Sequence, residues 1–249
     1  MQTQFGVLVI GDEILTGKRQ DKHFPYVVTR LRARGLSAAW YRVAGDDRQA
    51  LVETLRQTRE SSVPVFCFGG IGATPDDNTR QAAAQAFACR LQVQEEALAR
   101  IESQFGPAAR PNRVRMAELP EGCALIPNPA NRIPGFTIYE HHFFPGFPSM
   151  AWPMLDWVLG HYYPVCANSA LYERSVRVFG VPESELLDLM EALTRQFPAA
   201  RLFSLPRRAE PASIELGFRG TQPDVDAAMS GLVSALEQCR LAFESEVIG

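Results

Sequence analysis

Short apolar runs alternate with longer segments of helical spacing in the first part of the chain. The apolar runs predict buried strands at residues 7–10, 38–43 and 63–68. Apolar residues three and four positions apart predict helices at residues 24–34, 76–90 and 94–104, and one more after Asp46 and Asp47. Because strands that alternate with helices form βαβ units, we expect an α/β domain with a mostly parallel sheet.

The pattern changes after residue 105. Proline and glycine become dense, and short strands are predicted at residues 124–126, 136–139 and 142–144, before a helix at 148–163. Residues 165–169 have the composition of a linker. Beyond them, a small α+β domain is predicted, with strands at 175–179, 201–205 and 213–218 and helices at 183–196 and 224–243. The predicted domains are therefore residues 1–168 and 169–249.

Composition and charge argue against several classes of function. The 249 residues are 46% hydrophobic and 21% charged, as in ordinary globular proteins, and the net charge of −3 disfavours a nucleic-acid partner. No apolar run approaches the roughly 18 residues that span a bilayer, and the N-terminus lacks the basic start of a signal peptide. The five cysteines form no C-x-x-C pair, which indicates reduced thiols. We expect a cytoplasmic protein with no membrane partner.

One short motif formally suggests RNA binding. Gly217 and Gly220 match the GXXG element of KH modules, where that element joins two helices. Here it follows a predicted strand, and residues 170–249 carry 12 acidic side chains against 8 arginines. We therefore expect no RNA-binding role for this region.

The segment that follows the third predicted strand carries the strongest chemical signal. It contains three glycines and then a threonine, a proline and two carboxylates: Gly69, Gly70, Gly72, Thr74, Pro75, Asp76 and Asp77. Glycines let a backbone approach a ligand closely, and the free N–H groups of a helix N-terminus attract an anion such as phosphate. Two carboxylates at the same place fit a divalent metal that bridges them to phosphate oxygens.

Helix capping is the alternative explanation for part of this segment. Thr74 and Asp77 match a capping pattern with Pro75 at the first helical position, and a capped helix needs no ligand. Capping does not explain the glycines or Asp76, so we favour a ligand site. Arg80, one turn into the predicted helix, is expected either to reach a phosphate or to be solvated.

Acidic residues also follow the other predicted strands. The first and second strands end in loops that contain Gly11, Asp12, Glu13, Asp46 and Asp47. Because ligands of parallel sheets bind at the carboxyl ends of the strands, we expect these loops to line the same site. Asp21 precedes a predicted helix, and both a plain N-cap and a ligand contact remain open for it.

Other catalytic chemistries lack a candidate. The four histidines show no H-x-x-x-H spacing, which argues against a histidine-ligated zinc site. His141 and His142 are neighbours in a predicted strand, so at most one of them faces a pocket. No G-x-S-x-G motif is present, so nucleophilic catalysis has no named residue.

Several spaced motifs occur together along residues 5–165. They are Gly11-Asp12-Glu13-Ile14-Leu15-x-Gly17, Gly45-Asp46-Asp47, the run from Gly69 to Thr79, Met116-Ala117-x-x-Pro120-x-Gly122, Ile126-x-Asn128, Pro134-Gly135-Phe136 and the run from Phe144 to Met150. Their order resembles the MoaB/Mog-like molybdopterin-binding domain family, and most closely the N-terminal domain of its CinA branch.

The resemblance implies a three-layer α/β/α sandwich that binds molybdopterin or a related nucleotide. It also implies hydrolysis of ADP-ribose-type or FAD-type pyrophosphates with Mg²⁺ or Mn²⁺. By resemblance, the glycine-rich loop holds phosphate, and Asp76 or Asp77 binds metal or positions water. The other residues implied to line or border the ligand are Asp12, Glu13, Asp21, Asp46, Thr74, Thr79, Asn128, Pro134 and Gly135. A homo-oligomer is also expected.

Two segments depart from the family pattern. Lys22-His23 stands where Thr-Asn is usual, and Asn131-Arg132-Ile133 stands where Gly-Thr-Ala is usual. Both segments would border the ligand. A non-catalytic molybdopterin-binding or molybdenum-cofactor biosynthesis protein therefore remains the alternative function.

Overall fold

The computed structural model describes residues 4–164, 172–207 and 211–246. The chain divides into one unit formed by Met1–Arg32 and Leu36–Cys166, and a second formed by Ala167–Gly249 with Ala33–Gly35. The predicted linker at residues 165–169 and the predicted domain boundary at residues 168 and 169 lie outside the described residues.

The first unit alternates strands and helices as the apolar pattern predicts. Its strands are β1 (Gln4–Ile10), β2 (Ser37–Ala44), β3 (Val65–Phe68), β4 (Leu91–Val93), β5 (Glu118–Pro120), β6 (Ala124–Ile126), β7 (Gly135–Ile138) and β8 (His141–Phe144). Its helices are α1 (Asp12–Leu15), α2 (His23–Arg32), α3 (Arg48–Glu60), α4 (Thr79–Ala86), α5 (Glu95–Phe105) and α6 (Pro148–Tyr162). Two short 3-10 segments, Gly106–Ala109 and Arg113–Ala117, follow α5.

Six of these strands form one sheet in the order β2-β1-β3-β8-β7-β6. The first four strands are parallel, and β7 and β6 continue the sheet antiparallel. Every residue of β3 and β8 is buried, because helices cover the sheet on both faces. Strands β4 and β5 pair separately as a small antiparallel ribbon.

Helices pack on both faces of the sheet. Val27 of α2 and Met154 of α6 belong to the core on one face, and Leu51 of α3, Ala83 of α4 and Ile101 of α5 belong to the core on the other. The predicted α/β/α sandwich with a mostly parallel sheet is therefore confirmed.

Helix α6 packs against the sheet of its own chain. Ala151, Leu155 and Val158 are fully buried there, and Trp152 stacks on Tyr26 with ring centroids 4.3 Å apart. The expected homo-oligomer stays a prediction. Among the residues that the structure describes, no helix has the length and apolarity needed to cross a membrane.

The second unit is an antiparallel sheet with helices on one side. Its elements are β9 (Tyr172–Phe179), a 3-10 segment (Glu183–Leu186), α7 (Leu187–Gln196), β10 (Arg201–Arg207), β11 (Ser213–Gly220), α8 (Gln222–Gln238) and β12 (Ala242–Glu246). The strand order is β10-β11-β9-β12. The GXXG element lies entirely within β11 rather than between two helices.

The prediction of a helix at 224–243 was wrong at its end. Helix α8 stops at Gln238, Arg240 adopts a left-handed φ of 55°, and the Leu241 N–H donates to the Leu236 carbonyl at 3.0 Å. These features terminate a helix. Leu241 and Phe243 pack against the core although they lie beyond the helix. The spacing of apolar residues alone does not distinguish such residues from a continuation of the helix.

Gly6 offers a test of packing in the central strand. A Cβ atom at Gly6 would lie 2.0 Å from Cζ2 of Trp40, which packs against the core. We expect Gly6→Ala to lower the free energy of unfolding by about 1–3 kcal/mol, because the indole must shift. Urea denaturation measures this change.

Gly160→Ala is the matched control, because a Cβ atom at this position in α6 meets nothing within 4 Å. It should stabilise the helix by about 0.5–1 kcal/mol. Equal unfolding free energies for Gly6→Ala and the unaltered protein would show that Trp40 does not constrain the strand.

Candidate functional site

A cavity of about 480 Å³ opens where three parallel strands end. Ile10 at the end of β1, Gly69 after β3 and Pro145 after β8 all line it. The position agrees with the rule that parallel sheets bind ligands at the carboxyl ends of their strands.

The glycine-rich loop needs its first two glycines for steric reasons. Gly69 and Gly70 have φ values of 110° and 67°. A Cβ atom at Gly69 would lie 2.1 Å from the Ile10 carbonyl oxygen, and one at Gly70 would lie 2.2 Å from Oγ1 of Thr79. The backbone therefore passes closer to its neighbours than a side chain allows.

Helix α4 holds the carbonyl groups of this loop. Thr79 donates from Oγ1 to the Gly69 oxygen at 3.0 Å, and from its N–H to the Gly70 oxygen at 3.0 Å. Thr79 is fully buried and is not among the residues that line the cavity. Its position is a supporting one, and not the direct ligand contact that the resemblance implies.

Arg80 supports the same loop. Its Nη2 donates to the Gly72 oxygen at 2.8 Å, and its Nη1 donates to the oxygens of Glu118, at 3.0 Å, and Arg115. Only 2% of Arg80 is exposed. The expectation of a solvated side chain was wrong, and the guanidinium bonds backbone oxygens at a position that does not line the cavity.

The backbone N–H groups of the loop remain available. Within the described part of the chain, no hydrogen bond uses the N–H groups of Gly70, Ile71, Gly72 and Ala73. All four residues line the cavity. Successive free N–H groups in such a loop form a binding site for an anion.

The prediction that a helix begins at residue 76 was wrong, because α4 begins at Thr79. Asp77 Oδ2 accepts from the N–H of Thr74 at 2.8 Å and from its Oγ1 at 2.5 Å, and the Asp77 N–H donates to the Thr74 oxygen at 3.0 Å. The Thr74 and Asp77 pattern therefore closes a turn ahead of the helix. Asp76, in the same turn, also lines the cavity and is exposed.

Acidic side chains from three loops surround the cavity. Asp12 and Asp46 exchange hydrogen bonds: the Asp12 N–H donates to Asp46 Oδ2 at 2.9 Å, and the Asp46 N–H to Asp12 Oδ1 at 3.2 Å. Burial raises the pKa of the Asp46 carboxyl, and the nearby carboxylates of Asp12, Glu13 and Asp76 raise it further. Glu13, Asp46 and Asp76 line the cavity, whereas Asp12 does not.

The donor set suits a hard cation that ligand phosphates and water help to hold. Within residues 4–164, 172–207 and 211–246, no three His, Cys, Asp or Glu side chains converge to hold a metal ion. Mg²⁺ is usually bound by one or two carboxylates together with substrate phosphates and water. The crowded carboxylates fit that arrangement, and the Mg²⁺ or Mn²⁺ ion with Asp76 and Asp77 as ligands stays a prediction.

Two other acidic residues have capping roles. Asp21 accepts from the N–H groups of His23, at 2.7 Å, and Phe24, at 3.0 Å, at the start of α2, and it does not line the cavity. Asp47 Oδ1 accepts from the Ala50 N–H at 2.8 Å and caps α3. Asp21 therefore makes the N-cap bonds that the sequence left open, and Asp47, which was expected to line the site, caps a helix outside the cavity.

The remaining predicted residues come from the segment before β7. Asn128 and Pro134 line the cavity, and Gly11 does so from the end of β1. Gly135 does not line it, and a Cβ atom there would lie 2.3 Å from the Phe143 oxygen. Gly135 therefore permits close packing of β7 on β8 rather than contact with a ligand.

Several lining residues had no site role predicted from the sequence, among them Arg19, Met116, Phe147 and Met150. Asn131 and Ile133, from a segment expected to border the ligand, line the same largely apolar wall. Phe147 is 59% exposed. Met116, Phe147 and Met150 lie in the motifs that carry the resemblance, so the signal was present. Arg19 lies in the loop after α1, whose fold the apolar pattern does not predict.

The histidines of β8 take no part in the cavity. His141 contacts Thr58 Oγ1 and His142 contacts Tyr163 Oη, each at 2.9 Å. Burial lowers the pKa of His141 to about 4 and that of His142 to about 3. Both rings are therefore neutral core groups at pH 7 and do not line the cavity.

Comparison with known proteins places the chain in a family. Residues 6–164 match the model of the probable molybdopterin binding domain. This match covers more than half of the chain, so the protein belongs to the molybdopterin-binding domain family.

Proteins named for CinA or for competence-damage induction are among its relatives. A putative competence-damage inducible protein of Acetivibrio thermocellus is 31% identical over 191 residues, which are 74% of this chain and 46% of that protein. The crystal structure of the CinA protein of Thermoplasma acidophilum superposes with a TM-score of 0.59 and 28% identity, over 63% of this chain and 96% of that one. The resemblance found in the sequence is confirmed.

The length of the relatives varies. The chain spans about half the length of the CinA-like relatives that it matches, namely 46% for the Acetivibrio thermocellus protein. A protein of Pyrobaculum calidifontis is 27% identical over 252 residues, which are 93% of this chain and 95% of that protein.

Asp46 is predicted to make stability depend on pH. A raised pKa in the folded state means that folding disfavours the carboxylate, so stability falls as the pH rises from about 4 through that pKa. Asp46→Asn keeps an oxygen that can accept from the Asp12 N–H and has no proton to lose. We expect Asp46→Asn to have a higher Tm than the unaltered protein at pH 7, and this gain to shrink toward pH 4.

Thermal unfolding of both proteins between pH 4 and 7 measures this difference. Glu60→Gln is the control, because it removes one exposed carboxylate that does not line the cavity. A stability difference between Asp46→Asn and the unaltered protein that is constant with pH would contradict the prediction.

Proposed function

We propose that the cavity binds a pyrophosphate-bearing pterin or nucleotide and that the protein hydrolyses the pyrophosphate with Mg²⁺ or Mn²⁺. The observation that carries the proposal is that one cavity is lined both by groups that attract an anion and by groups that repel it. Free N–H groups of Gly70, Ile71 and Gly72 attract an anion, whereas Glu13 and Asp46 repel it. A divalent cation held by these carboxylates would remove that conflict by neutralising charge.

The two ends of the cavity suit the two ends of such a ligand. The loop and the carboxylates form the polar end. Met116, Ile133, Phe147 and Met150 supply an apolar wall against which a flat ring can pack. Arg19 is the one basic side chain among the described lining residues, and it can neutralise part of the phosphate charge.

The carboxylates have separable roles in this proposal. Asp77 already uses one oxygen to close the turn with Thr74, so we assign it to the loop structure. Asp76 and Glu13 would hold the cation, and Asp46, with its raised pKa, would accept a proton from the attacking water. The bound cation would supply charge neutralisation and water activation. The loop N–H groups hold the phosphate oxygens while charge develops on them.

A binding protein without turnover is the second candidate. Among the described residues, no three metal ligands converge at the cavity. A single basic side chain, Arg19, lines it. The family to which the chain belongs is named for molybdopterin binding. In this case the same polar and apolar ends would hold molybdopterin without cleaving it.

Hydrolysis assays separate the two candidates. ADP-ribose and FAD are incubated with the protein and Mg²⁺, Mn²⁺ or Co²⁺, with EDTA as the metal-free control, and products are separated by chromatography. We expect metal-dependent cleavage into two monophosphates. Asp76→Asn should lower kcat at least about a hundredfold while ligand affinity falls less, because it removes a group that acts on the metal.

Asp47→Asn is the matched control for that variant. It removes a neighbouring carboxylate that does not line the cavity, and Asn caps a helix as well as Asp does. Its kcat should match that of the unaltered protein. If no metal supports cleavage, the hydrolase proposal fails, and calorimetric binding of ADP-ribose together with a search for copurifying molybdopterin decides the second candidate.

Phe147 provides a test of how the ring end is bound. Its exposed ring lines the cavity, and stacking of a base on an aromatic side chain contributes about 1–3 kcal/mol. Phe147→Ala should weaken binding of ADP-ribose and FAD roughly tenfold. Binding of inorganic pyrophosphate in the presence of Mg²⁺ should not change.

Phe147→Tyr is the conservative control, since it keeps a ring at the same place. Calorimetric titration compares the three proteins. Equal losses of affinity for ringed ligands and for pyrophosphate in Phe147→Ala would show that Phe147 supports the loop rather than the ring.

A further inference from the structure

A second cavity, also of about 480 Å³, lies beside the first one. It is lined by Pro127, Pro129 and Pro153, by Asn128 and Trp157, and by two arginines. Asn128 also lines the first cavity, so the segment that contains it forms a wall between the two. The second cavity has no assigned role.

The wall between the cavities is held by its own side chains. Asn128 Oδ1 accepts from the Ala130 N–H at 3.0 Å, and Asn128 Nδ2 donates to Asn131 Oδ1 at 2.7 Å. Asn131 Oδ1 also accepts from the Ile133 N–H at 3.1 Å. Because prolines flank these bonds, the wall loses little freedom when a ligand binds.

This wall holds the backbone of one exposed cationic residue. The Arg132 N–H donates to the Asn128 oxygen at 3.0 Å, and Arg132 adopts a left-handed φ of 62°. Within the described residues, its guanidinium makes no hydrogen bond or ion pair, whereas Arg100 is paired with Glu96 at 2.5 Å. Arg132 is therefore the cation available to an anion in this cavity.

The aromatic wall complements this charge. Trp157 packs against the core and stacks on His161, with ring centroids 4.5 Å apart and planes 12° apart. Its indole lines the cavity together with the three prolines. A flat ring can pack against such a surface.

The two cavities differ in charge. Glu13, Asp46 and Asp76 line the first one, so an anion there requires a cation. The described residues that line the second cavity carry two arginines and no carboxylate. An anion can therefore enter the second cavity without a metal.

We infer that the second cavity binds a flat aromatic anion of the nucleoside monophosphate class without a metal, with its ring against Trp157 and its phosphate on Arg132. Each half of the ligand matches one feature of the cavity. The inference does not depend on the proposed hydrolysis, because it uses different residues and needs no cation.

Calorimetric titration of the full chain with AMP in the presence of EDTA tests this site. AMP should bind. Adenosine and inorganic phosphate each carry half of the recognised chemistry, so each should bind at least roughly tenfold more weakly than AMP. Arg132→Asn should weaken AMP binding roughly tenfold, because it removes the charge while tolerating the left-handed backbone. Arg132→Lys should restore part of the affinity.

Further variants separate stacking from general effects. Trp157→Ala should weaken AMP binding roughly tenfold, and Trp157→Phe should keep most of it. Arg48→Ala is the charge control, because Arg48 is exposed and lines neither cavity. Asp76→Asn should leave AMP binding unchanged.

Three results would overturn the inference. One is the absence of AMP binding at millimolar concentration. Another is equal AMP affinity in the unaltered protein and in Arg132→Asn. The third is AMP binding that requires Mg²⁺ and is lost in Asp76→Asn, which would place the nucleotide in the first cavity.

Discussion

The candidate site depends on how the carbonyl groups of the glycine-rich loop are held. Thr79 donates hydrogen bonds to the carbonyl oxygens of Gly69 and Gly70, and Arg80 donates one to that of Gly72. With these oxygens bonded on the helix side, the N–H groups of the same peptides stay free, and the residues that carry them line the cavity. The charged guanidinium is buried to do this, and its bonds to three backbone oxygens offset part of the lost hydration, while its Nε has no hydrogen-bond partner. The loop is thus preorganised before any ligand arrives.

Charge then sets what each cavity can accept. The backbone N–H groups of Asp12 and Asp46 each donate to the other residue's carboxylate, which holds two acidic loops together at the end of β1. Burial there already disfavours the charge on Asp46. Adding a phosphate to that end without a cation would add to the same penalty. On the other side of the wall built by Asn128, the charge of Arg132 has the opposite sign. One wall therefore separates two surfaces with different requirements for an anion.

The sequence predicted the fold well because the buried strands are short, apolar and punctuated by glycine. It predicted the cavity too, since Gly69, Asp46 and Asp76 all follow strands that meet at one edge. It did not predict where α4 begins, because Thr74 and Asp77 make the same bonds in a turn as at a helix cap. Nor did it predict the burial of Arg80, because its partners are backbone oxygens far away in the chain, which no sequence pattern specifies.

The two departures from the family pattern meet at the apolar end of the first cavity. His23 stacks on Phe68 with ring centroids 4.4 Å apart, and its Nε2–H donates to the oxygen of Gly146, next to Phe147, at 3.1 Å. Asn131 Nδ2 contacts Sδ of Met150 at 2.9 Å on the same wall. Phe147 and Met150 belong to the motifs that carry the resemblance, so the departing residues His23 and Asn131 adjoin residues of the family pattern at this end. Under the proposed function, these departures therefore alter the surroundings of the ring-packing residues Phe147 and Met150 and leave the glycine-rich loop unchanged.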